Sequence, residues 1–408
     1  MLDTRTIALI VFALTYAVLG FGALPPLRID RTGAALVGAT AMVACGALLP
    51  AEAVAAVDFQ TLALLFGMMI VVAHLKLSGF FGWIGERMIL VSRTPTRALG
   101  AITVLSALLS ALFVNDTACI LLTPLAIETA AAVGAPALPF LLAVAMGSNA
   151  GSVATLTGNP QNMLIGSLSG ISYARFAAAL APVAVLSVVV TIAALRLGFR
   201  GALAPARPRE PRARAKVLHA PTLRKATAVT VLLLAALIGG VNPGLAAMAS
   251  ASILLVTRRI RPARVWAHVD WSLLAMFAGL FVVVRGIEVT GWTAKGLAVI
   301  PPAARDSLPA LVGASTALSN VVSNVPAVLV LRAWPGHFPN SEAAWLALSM
   351  SSTLAGNLTL VGSVANLIVV EQAKNHERIG FWSYARIGVP VALVTIAIGT
   401  VWIAWAIR

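Results

Sequence analysis

Long apolar segments separated by short polar ones run along almost the whole chain of 408 residues. Stretches of about 18 or more apolar residues are typical of helices that cross a membrane. The pattern predicts five such helices in each half: 6–24, 32–49, 58–78, 139–166 and 174–197 in the first, and 225–240, 244–257, 270–290, 343–369 and 387–406 in the second. The sequence therefore predicts an all-α, multi-pass membrane protein with about ten transmembrane helices.

The two halves of the chain resemble each other in sequence. Three blocks match in the same order: residues 58–79 with 270–291, 114–118 with 323–327, and 146–162 with 350–366. Chance is a poor explanation for ordered matches, so the sequence predicts an internal repeat. We expect residues 1–197 to form the first unit and residues 225–408 the second, joined by a basic linker at 198–224.

The charges of the loops indicate that the two repeats have opposite orientations. The loop before Asp58 is not basic, whereas the loop before Asp270 contains RRIRPAR. After the matched helix the pattern reverses, because residues 86–97 are basic and residues 292–307 are nearly neutral. Cytoplasmic loops carry an excess of Lys and Arg, so the matched helices run in opposite directions. This inverted-topology repeat is common in secondary transporters and places both termini in the periplasm and the linker in the cytoplasm.

An apolar segment with a polar tip lies between the third and fourth predicted helices of each half, at 98–133 and 307–333. The tips are Asn115, Asp116 and Thr117 in the first segment and Ser323 and Asn324 in the second. Each arm has only about fifteen residues, which is short for a hydrocarbon core of about 30 Å at 1.5 Å per residue. We therefore expect two re-entrant hairpins, although two full crossings at each place would preserve the same topology.

Two predicted helices are interrupted by polar, glycine-rich stretches at 147–162 and 352–366. A membrane helix can unwind only where it lines protein or a water-filled cavity, and paired interruptions are typical of transporter binding sites. Close packing of small residues is the alternative explanation. The candidate solute- or Na⁺-binding residues are Ser148, Asn149, Thr155, Gly158, Asn159 and Asn162 in the first break and Asn357, Thr359, Gly362, Ser363 and Asn366 in the second. Gly158 and Gly362 are expected to adopt backbone conformations that a side chain would strain.

Composition and charge exclude several other functions. Charged residues make up only 11% of the chain, against about 25% in soluble domains. The net charge of +15 is concentrated in short loops, so it does not indicate a nucleic-acid surface. Cys45 and Cys119 lie in apolar segments and form no metal or disulfide pattern. No hydrolase, zinc-protease or P-loop motif occurs, so we expect neither an enzyme nor a cofactor.

Four segments resemble the signature segments of the ion transporter superfamily: VNDTACILLTPL, GSNAGSVATLTGNPQNMLIG, SNVVSNVPAVLVL and LAGNLTLVGSVANLIVV. This superfamily includes divalent anion:sodium symporters, citrate transporter-like permeases, arsenical pump membrane proteins and one class of Na⁺/H⁺ antiporters. The resemblance covers nearly the whole chain. It implies two hairpins that meet near the membrane midplane beside two unwound helices, elevator-like alternating access and a homodimer.

The hairpin tips both match and depart from this family. In the dicarboxylate symporters each tip carries Ser-Asn-Thr, which contacts the substrate carboxylate beside Na⁺. Asn115, Asn324, Thr117 and Ser323 match this pattern, whereas Asp116 and Val325 depart from it. An Asp at the first tip resembles the arsenical pump branch, for which a cytoplasmic ATPase is an implied partner. The departure weakens the case for a di- or tricarboxylate.

Asp116 is the ionisable residue most strongly indicated for function. Burial favours the protonated form of a carboxyl group, so Asp116 could carry H⁺ or hold a cation. Its alternative role is an N-cap of the second hairpin arm, and Arg285 is a candidate second anion contact.

The sequence thus predicts a secondary active transporter of the bacterial inner membrane that moves a small anionic solute coupled to Na⁺ or H⁺. The alternatives are an arsenite- or antimonite-type efflux permease, a Na⁺/H⁺ antiporter of the same superfamily and an ion channel.

Overall fold

The computed structural model describes residues 3–21, 23–24, 29–91, 94–204 and 218–407. The helices of the first half are α1 (Thr4–Phe21), α2 (Arg31–Ala44), α3 (Pro50–Ala56), α4 (Phe59–Leu77), α5 (Phe80–Val91), α6 (Pro95–Leu112), α7 (Asn115–Ala132), α8 (Leu138–Ser152), α9 (Pro160–Ser169) and α10 (Tyr173–Gly198). Two short strands, β1 (Ala23–Leu24) and β2 (Ile29–Asp30), pair antiparallel between α1 and α2.

The same succession of helices recurs in the second half. Its members are α11 (Ala220–Ile238), α12 (Pro243–Leu255), α13 (Pro262–Trp266), α14 (Trp271–Val289), α15 (Trp292–Val299), α16 (Leu308–Val322), α17 (Asn324–Leu331), α18 (Ser341–Leu354), α19 (Val364–Ala373) and α20 (Phe381–Ala406). The predicted all-α, multi-pass architecture is therefore confirmed. The repeat boundaries and the inverted orientation stay predictions, and linker residues 205–217 lie outside the described residues.

The predicted transmembrane segments correspond to α1, α2, α4, α10, α11, α12, α14 and α20, and to two interrupted pairs, α8–α9 and α18–α19. Local chemistry explains where the matched helices α4 and α14 begin. Asp58 accepts hydrogen bonds from the backbone N–H groups of Gln60 and Thr61, at 3.0 and 3.2 Å. Asp270 accepts one from Leu273 N at 2.9 Å. Each carboxylate thus satisfies donors that a helix start leaves unpaired.

The sequence analysis did not predict α3, α5, α13 and α15, which lie in the connections that precede or follow α4 and α14. They contain between five and twelve residues each. A helix this short produces no apolar run long enough to span a membrane, so the hydrophobic pattern did not reveal it. They form matched pairs, because α3 and α13 precede the matched helices whereas α5 and α15 follow them.

The helices divide into two packing groups. We call α1, α2, α4, α11, α12 and α14 the scaffold group, and α6 to α10 with α16 to α20 the hairpin group. In the scaffold group each repeat packs against the other, α4 against α12 and α2 against α14. Matched glycines permit both crossings: a Cβ on Gly67 would lie 2.6 Å from the Ala247 carbonyl carbon, and one on Gly279 would lie 2.7 Å from the Ala35 carbonyl oxygen. Small residues allow such close backbone approach between membrane helices.

The hairpin arms differ from the predicted length. The first hairpin, α6–α7, has arms of 18 residues each, whereas the second, α16–α17, has arms of 15 and 8 residues. The estimate of about fifteen residues per arm was therefore wrong for three of the four arms. An arm of 18 residues is about 27 Å long, so arm length no longer argues against a full crossing of the first hairpin, whereas the 8-residue arm of the second, about 12 Å long, still does. Re-entrancy stays a prediction.

The inverted orientation makes a direct labelling prediction. Arg87 on α5 and Lys295 on α15 are exposed and follow the matched helices α4 and α14. A Cys at position 295 should react with a membrane-impermeant thiol reagent in intact cells, whereas a Cys at position 87 should react only after permeabilisation. The parent protein, with half-buried Cys45 and buried Cys119, gives the background. Labelling of both positions from one side would contradict the inversion.

Candidate functional site

Both predicted helix breaks are present. Helix α8 ends at Ser152 and α9 begins at Pro160, with one short 3₁₀ turn between them. Helix α18 ends at Leu354 and α19 begins at Val364, with two such turns between them. The Gly, Pro and Asn content of these stretches explains the interruptions, because these residues favour turns and weaken continuous helices.

A matched asparagine side chain closes each break. Asn162 Nδ2 donates to the carbonyl oxygens of Ser152 and Thr155, at 2.9 and 3.0 Å. Asn366 Nδ2 likewise donates to two carbonyl oxygens of the second break, at 2.6 and 3.2 Å. Backbone groups freed by the break are thereby paired, as burial in a membrane requires. A cation at these carbonyls would have to use their second lone pairs.

Asn149 joins the first tip to the second break. Its Nδ2 donates to Asn357 Oδ1 at 3.0 Å and to Asn366 Oδ1 at 3.2 Å. Its Oδ1 accepts from Ser363 Oγ at 3.2 Å and from Asn115 Nδ2 at 3.4 Å. All five side chains are buried. Five residues predicted from two separate halves of the sequence therefore lie in one hydrogen-bonded network.

A second network crosses between the breaks in the opposite direction. Asn159 Nδ2 and Gln161 Nε2 donate to Thr353 Oγ1 at 3.1 and 3.2 Å. Ser349 Oγ donates to Asn162 Oδ1 at 2.7 Å. Sequence analysis named Asn159 and Asn162 but missed Gln161, Ser349 and Thr353. The repeat alignment could have identified Thr353, because it falls against Asn149 when residues 146–162 are aligned with residues 350–366.

The second hairpin tip is also bound to the breaks. In the amide orientation that pairs both ends of its side chain, Asn324 donates from Nδ2 to the carbonyl oxygens of Ser352 (3.0 Å) and Gly362 (3.3 Å), and accepts from Gln161 Nε2 (3.2 Å). The preceding residue, Ser323, has φ 75° and ψ 163°. This conformation costs energy in a residue with a side chain and is typical of functional sites.

Four other predicted residues have different surroundings. Thr155 Oγ1 donates to the carbonyl oxygen of Ala111, and Thr359 Oγ1 donates to Asn320 Oδ1 at 2.9 Å. These matched bonds tie the breaks to the first arms of the two hairpins, α6 and α16. Ser148 Oγ accepts from Cys119 Sγ at 3.1 Å, within the hairpin group. Thr117 is half-buried and lies outside the cavity and both networks that the described residues define.

Gly158 and Gly362 were predicted to adopt backbone conformations that a side chain would strain, and this prediction is wrong. Neither residue has a positive φ, so neither needs the backbone freedom that is special to glycine. The limit is space: a Cβ on Gly158 would lie 2.2 Å from the Ser152 carbonyl oxygen, and one on Gly362 would lie 2.6 Å from Asn320 Oδ1. The two glycines permit the close approach by which each break folds back on itself.

A cavity of about 200 Å³ lies where the hairpin tips and the breaks meet the scaffold group. It extends from buried Asn115 to exposed Asp270 at the start of α14, so it opens at that end of the helix. Its polar lining residues are Arg31, Thr32, Asp270 and Ser272 from the scaffold group and Asn115, Asp116, Gln161, Ser323, Asn324 and Ser363 from the hairpin group.

Three charged residues line this cavity. Asp116 lies in the first turn of α7, and Asp270 and Arg31 stand at the starts of α14 and α2. Arg31 Nε donates to the Leu19 carbonyl oxygen at 3.1 Å. While Asp116 is ionised the two carboxylates outnumber the one guanidinium, whereas neutralisation of Asp116 leaves the charges of Asp270 and Arg31 in balance. Neither Arg31 nor Asp270 was predicted as a site residue, because both positions enter the site from helices distant in sequence.

Two alternative roles are not realised in this structure. The N-cap of α7 is Val114, so Asp116 occupies the second helical position rather than the cap. The positive end of the α7 dipole still favours its charge there. Arg285 is half-exposed, contacts Glu288 at 3.5 Å and lies outside the cavity lining of the described residues. It is therefore not an anion contact in this conformation.

The sequence model of the family described as "Citrate transporter" matches residues 7–350. The chain belongs to this family. The silicon efflux transporter LSI3 of Oryza sativa subsp. japonica is 32% identical over 96% of both chains. Inner membrane protein YbiR of Escherichia coli (strain K12) is 28% identical over 85% of this chain and 88% of its own. The crystal structure of the Alcanivorax borkumensis YdaH transporter, reported to reveal an unusual topology, covers 99% of this chain and 97% of its own, with a TM-score of 0.56 and 15% identity.

This citrate transporter family member is a multi-pass membrane transporter. The predicted membership of the ion transporter superfamily is confirmed by the family match and by the names of the relatives. The expectation that the chain is not an enzyme agrees with those names. The YdaH likeness extends over nearly the entire chain and supports the fold alone.

The Asn149 network makes a prediction about stability. In the Asn149→Asp variant the Nδ2 donor would become an oxygen facing the Oδ1 atoms of Asn357 and Asn366. Two buried hydrogen bonds would be replaced by repulsion, so we expect a loss of about 2–4 kcal/mol. Thermal unfolding in detergent should show a clearly lower midpoint. Asn242→Asp, at an exposed position, is the control; equal midpoints for the two variants would contradict the role of the network.

Proposed function

We propose that this family member is a secondary active transporter that moves a small solute by alternating access, coupled to H⁺ or Na⁺, in a bacterial inner membrane. The observation that carries the proposal is the position of Asp116. It stands at a hairpin tip, in the cavity between the scaffold and hairpin groups. A carboxylate at that depth is costly unless a proton or a cation neutralises it. Neutralisation once per cycle would couple ion flow to movement of the hairpin group.

The lining of the cavity favours a small hydroxylated oxyacid as solute. Most hydrogen-bond donors of Asn115, Gln161, Asn324 and Ser363 are already used within the networks, so these side chains offer a solute mainly acceptor oxygens, which suit the hydroxyl groups of an oxyacid. The cavity is net negative while Asp116 is ionised and net neutral once Asp116 is neutralised, so it repels a multiply charged anion in the first state and offers it no surplus positive charge in the second. A solute that is uncharged at neutral pH avoids this repulsion. The relative named as a silicon efflux transporter and the resemblance to arsenical pump proteins both support this class and favour export.

A small carboxylate anion moved together with Na⁺ is the second candidate. The family description as a citrate transporter and the matching Ser323 and Asn324 of the second tip favour it. In this case Na⁺ would bind near the same tips and breaks, and Arg31 would be the available cationic group in the described cavity. A homodimer, and a cytoplasmic ATPase partner of the arsenical pump kind, also stay proposals.

Counterflow in proteoliposomes tests the proposed function. Vesicles containing the purified transporter would be preloaded with silicic acid, arsenite or citrate, and uptake of the same labelled solute would be followed. A carrier gives transient accumulation of the label, whereas a channel gives none. We expect counterflow with an uncharged oxyacid that responds to a pH gradient. Counterflow with citrate alone, dependent on Na⁺, would favour the second candidate, and its absence for every solute would contradict the proposed class.

A further inference from the structure

A well-formed ion pair joins the two helix groups at a distance from the cavity. Arg332 Nε donates to Glu288 Oε1 at 2.7 Å, and Arg332 Nη2 donates to Glu288 Oε2 at 2.7 Å. Glu288 lies in the last turn of α14, in the scaffold group, and Arg332 directly follows α17, in the hairpin group. The pair is therefore a bidentate contact across the boundary between the groups.

Its surroundings make this pair stronger than an ordinary surface contact. The side chains of Arg332 and Glu288 are only 17% and 19% exposed. Bidentate Arg–carboxylate pairs are strong and geometrically specific, and partial burial reduces solvent screening. Glu288 also lies at the negative end of the α14 dipole, where a carboxylate is unfavourable without a compensating cation. Arg285 contributes less, because it is half-exposed and 3.5 Å away.

The pair and the cavity mouth lie at opposite ends of α14. Ser272 lines the cavity in the first turn of the helix, whereas Glu288 is 16 residues further along. This separation corresponds to about 24 Å at 1.5 Å per residue. Between the cavity and the pair, Tyr16 Oη of the scaffold helix α1 donates to the carbonyl oxygen of Pro326, a cavity-lining residue of α17, at 3.1 Å. The Arg332–Glu288 pair thus joins the scaffold and hairpin groups at the end of α14 away from the cavity mouth.

We propose that Glu288 and Arg332 form a latch that keeps the far end of the transporter closed while the cavity is open. The inference rests on the proposed alternating-access function. Closing the cavity and opening the other end requires α17 to shift against α14, and this shift must separate the two side chains. The latch therefore breaks and re-forms once per transport cycle. Its strength sets the balance between the two conformations.

The first test prevents the latch from opening. Cysteines at positions 288 and 332 would be joined by a short bifunctional thiol reagent cleavable by reductant, and counterflow of silicic acid, arsenite or citrate would be measured. Cross-linking should abolish counterflow, and reductant should restore it. Unchanged counterflow after complete cross-linking would overturn the latch.

The matched control places cysteines at positions 175 and 342. In the parent chain Arg175 and Glu342 form an ion pair at 2.5 Å between α10 and α18, which both belong to the hairpin group. Cross-linking there should leave counterflow unchanged.

The second test needs no transport and so separates failure of the latch from failure of the proposed function. A Cys at position 272 reports whether the cavity is open to a water-soluble thiol reagent. Glu288→Gln should slow its modification, because loss of a charged hydrogen-bonded pair lowers the equilibrium constant for the open cavity by about tenfold and so reduces the fraction of molecules in which position 272 is accessible. The exchange Glu288→Arg with Arg332→Glu should restore the rate, and Glu342→Gln should not alter it. An unchanged rate in Glu288→Gln would overturn the latch even if the chain transports.

Discussion

Asp116→Asn is expected to abolish coupled transport while leaving solute exchange largely intact. The replacement keeps the size of the side chain at the second position of α7 but removes the group that can lose a proton or hold a cation. The dipole of α7 tolerates a neutral amide there, so the tip should keep its fold. Without a group to neutralise, the hairpin group can move with or without an ion bound. Uphill accumulation or extrusion should therefore fall to background, because an uncoupled carrier only equilibrates its solute across the membrane.

The measurement is made in proteoliposomes with an imposed pH or Na⁺ gradient, and exchange is measured separately by counterflow. Glu128→Gln is the matched control, because Glu128 is an exposed carboxylate on the same helix, α7. Its removal should leave both activities unchanged. An Asp116→Asn protein that accumulates solute normally, with unchanged dependence on pH and Na⁺, would show that Asp116 serves only the helix start.

Gly158→Ala is expected to abolish transport even though it adds only a methyl group. That Cβ would lie 2.2 Å from the Ser152 carbonyl oxygen and 2.7 Å from its Cα, and backbone atoms cannot move aside as a side chain can. Overpacking a tight site costs about 1–3 kcal/mol or forces the backbone to shift. A shift here would move the carbonyl oxygen to which Asn162 donates. Counterflow in reconstituted vesicles is the measurement, with the amount of inserted protein determined in parallel.

Two further variants make this prediction specific. Gly362→Ala should be milder, because the nearest atom is Asn320 Oδ1 at 2.6 Å, which belongs to a side chain. Gly313→Ala should have little effect, because it lies exposed on hairpin arm α16 with nothing within 4 Å of its added Cβ. Similar activity of the Gly158 and Gly313 variants would indicate that the first break is an ordinary packed segment. If Gly158→Ala alone failed to insert into the membrane, the clash would impair folding rather than transport.

The candidate site residues were predictable as a set but not as an arrangement. Asn115, Asn149, Asn357, Ser363 and Asn366 were all identified because polar side chains are conspicuous in apolar segments. Which of them bond to each other depends on how two distant stretches pack. Asn149 and Asn366, for example, are separated by 217 positions and lie 3.2 Å apart, from Nδ2 to Oδ1. Side-chain direction at a broken helix follows no simple period, so spacing along the chain could not reveal these pairs.

The role of Gly158 shows a second limit. Its unusual position in a helix break was evident from the sequence, but the reason was not. Glycine is required either where φ is positive or where another backbone comes close, and sequence alone does not distinguish the two. The structure shows that close approach is the reason for glycine at position 158, because the Ser152 backbone occupies the place of a Cβ.

The sequence by itself determined the membrane class, the order of the apolar helices, the two breaks and the polar hairpin tips. Each of these follows from local rules: hydrocarbon demands apolar runs of spanning length, and it admits Gly, Pro and Asn only where the backbone is paired by other means. Only the tertiary structure decided that Asp270 and Arg31 share a cavity with Asp116, and that Glu288 meets Arg332 across two helix groups. These contacts arise from the packing of whole helices against each other. That packing is set by shape complementarity over many residues, which no short segment of the chain contains.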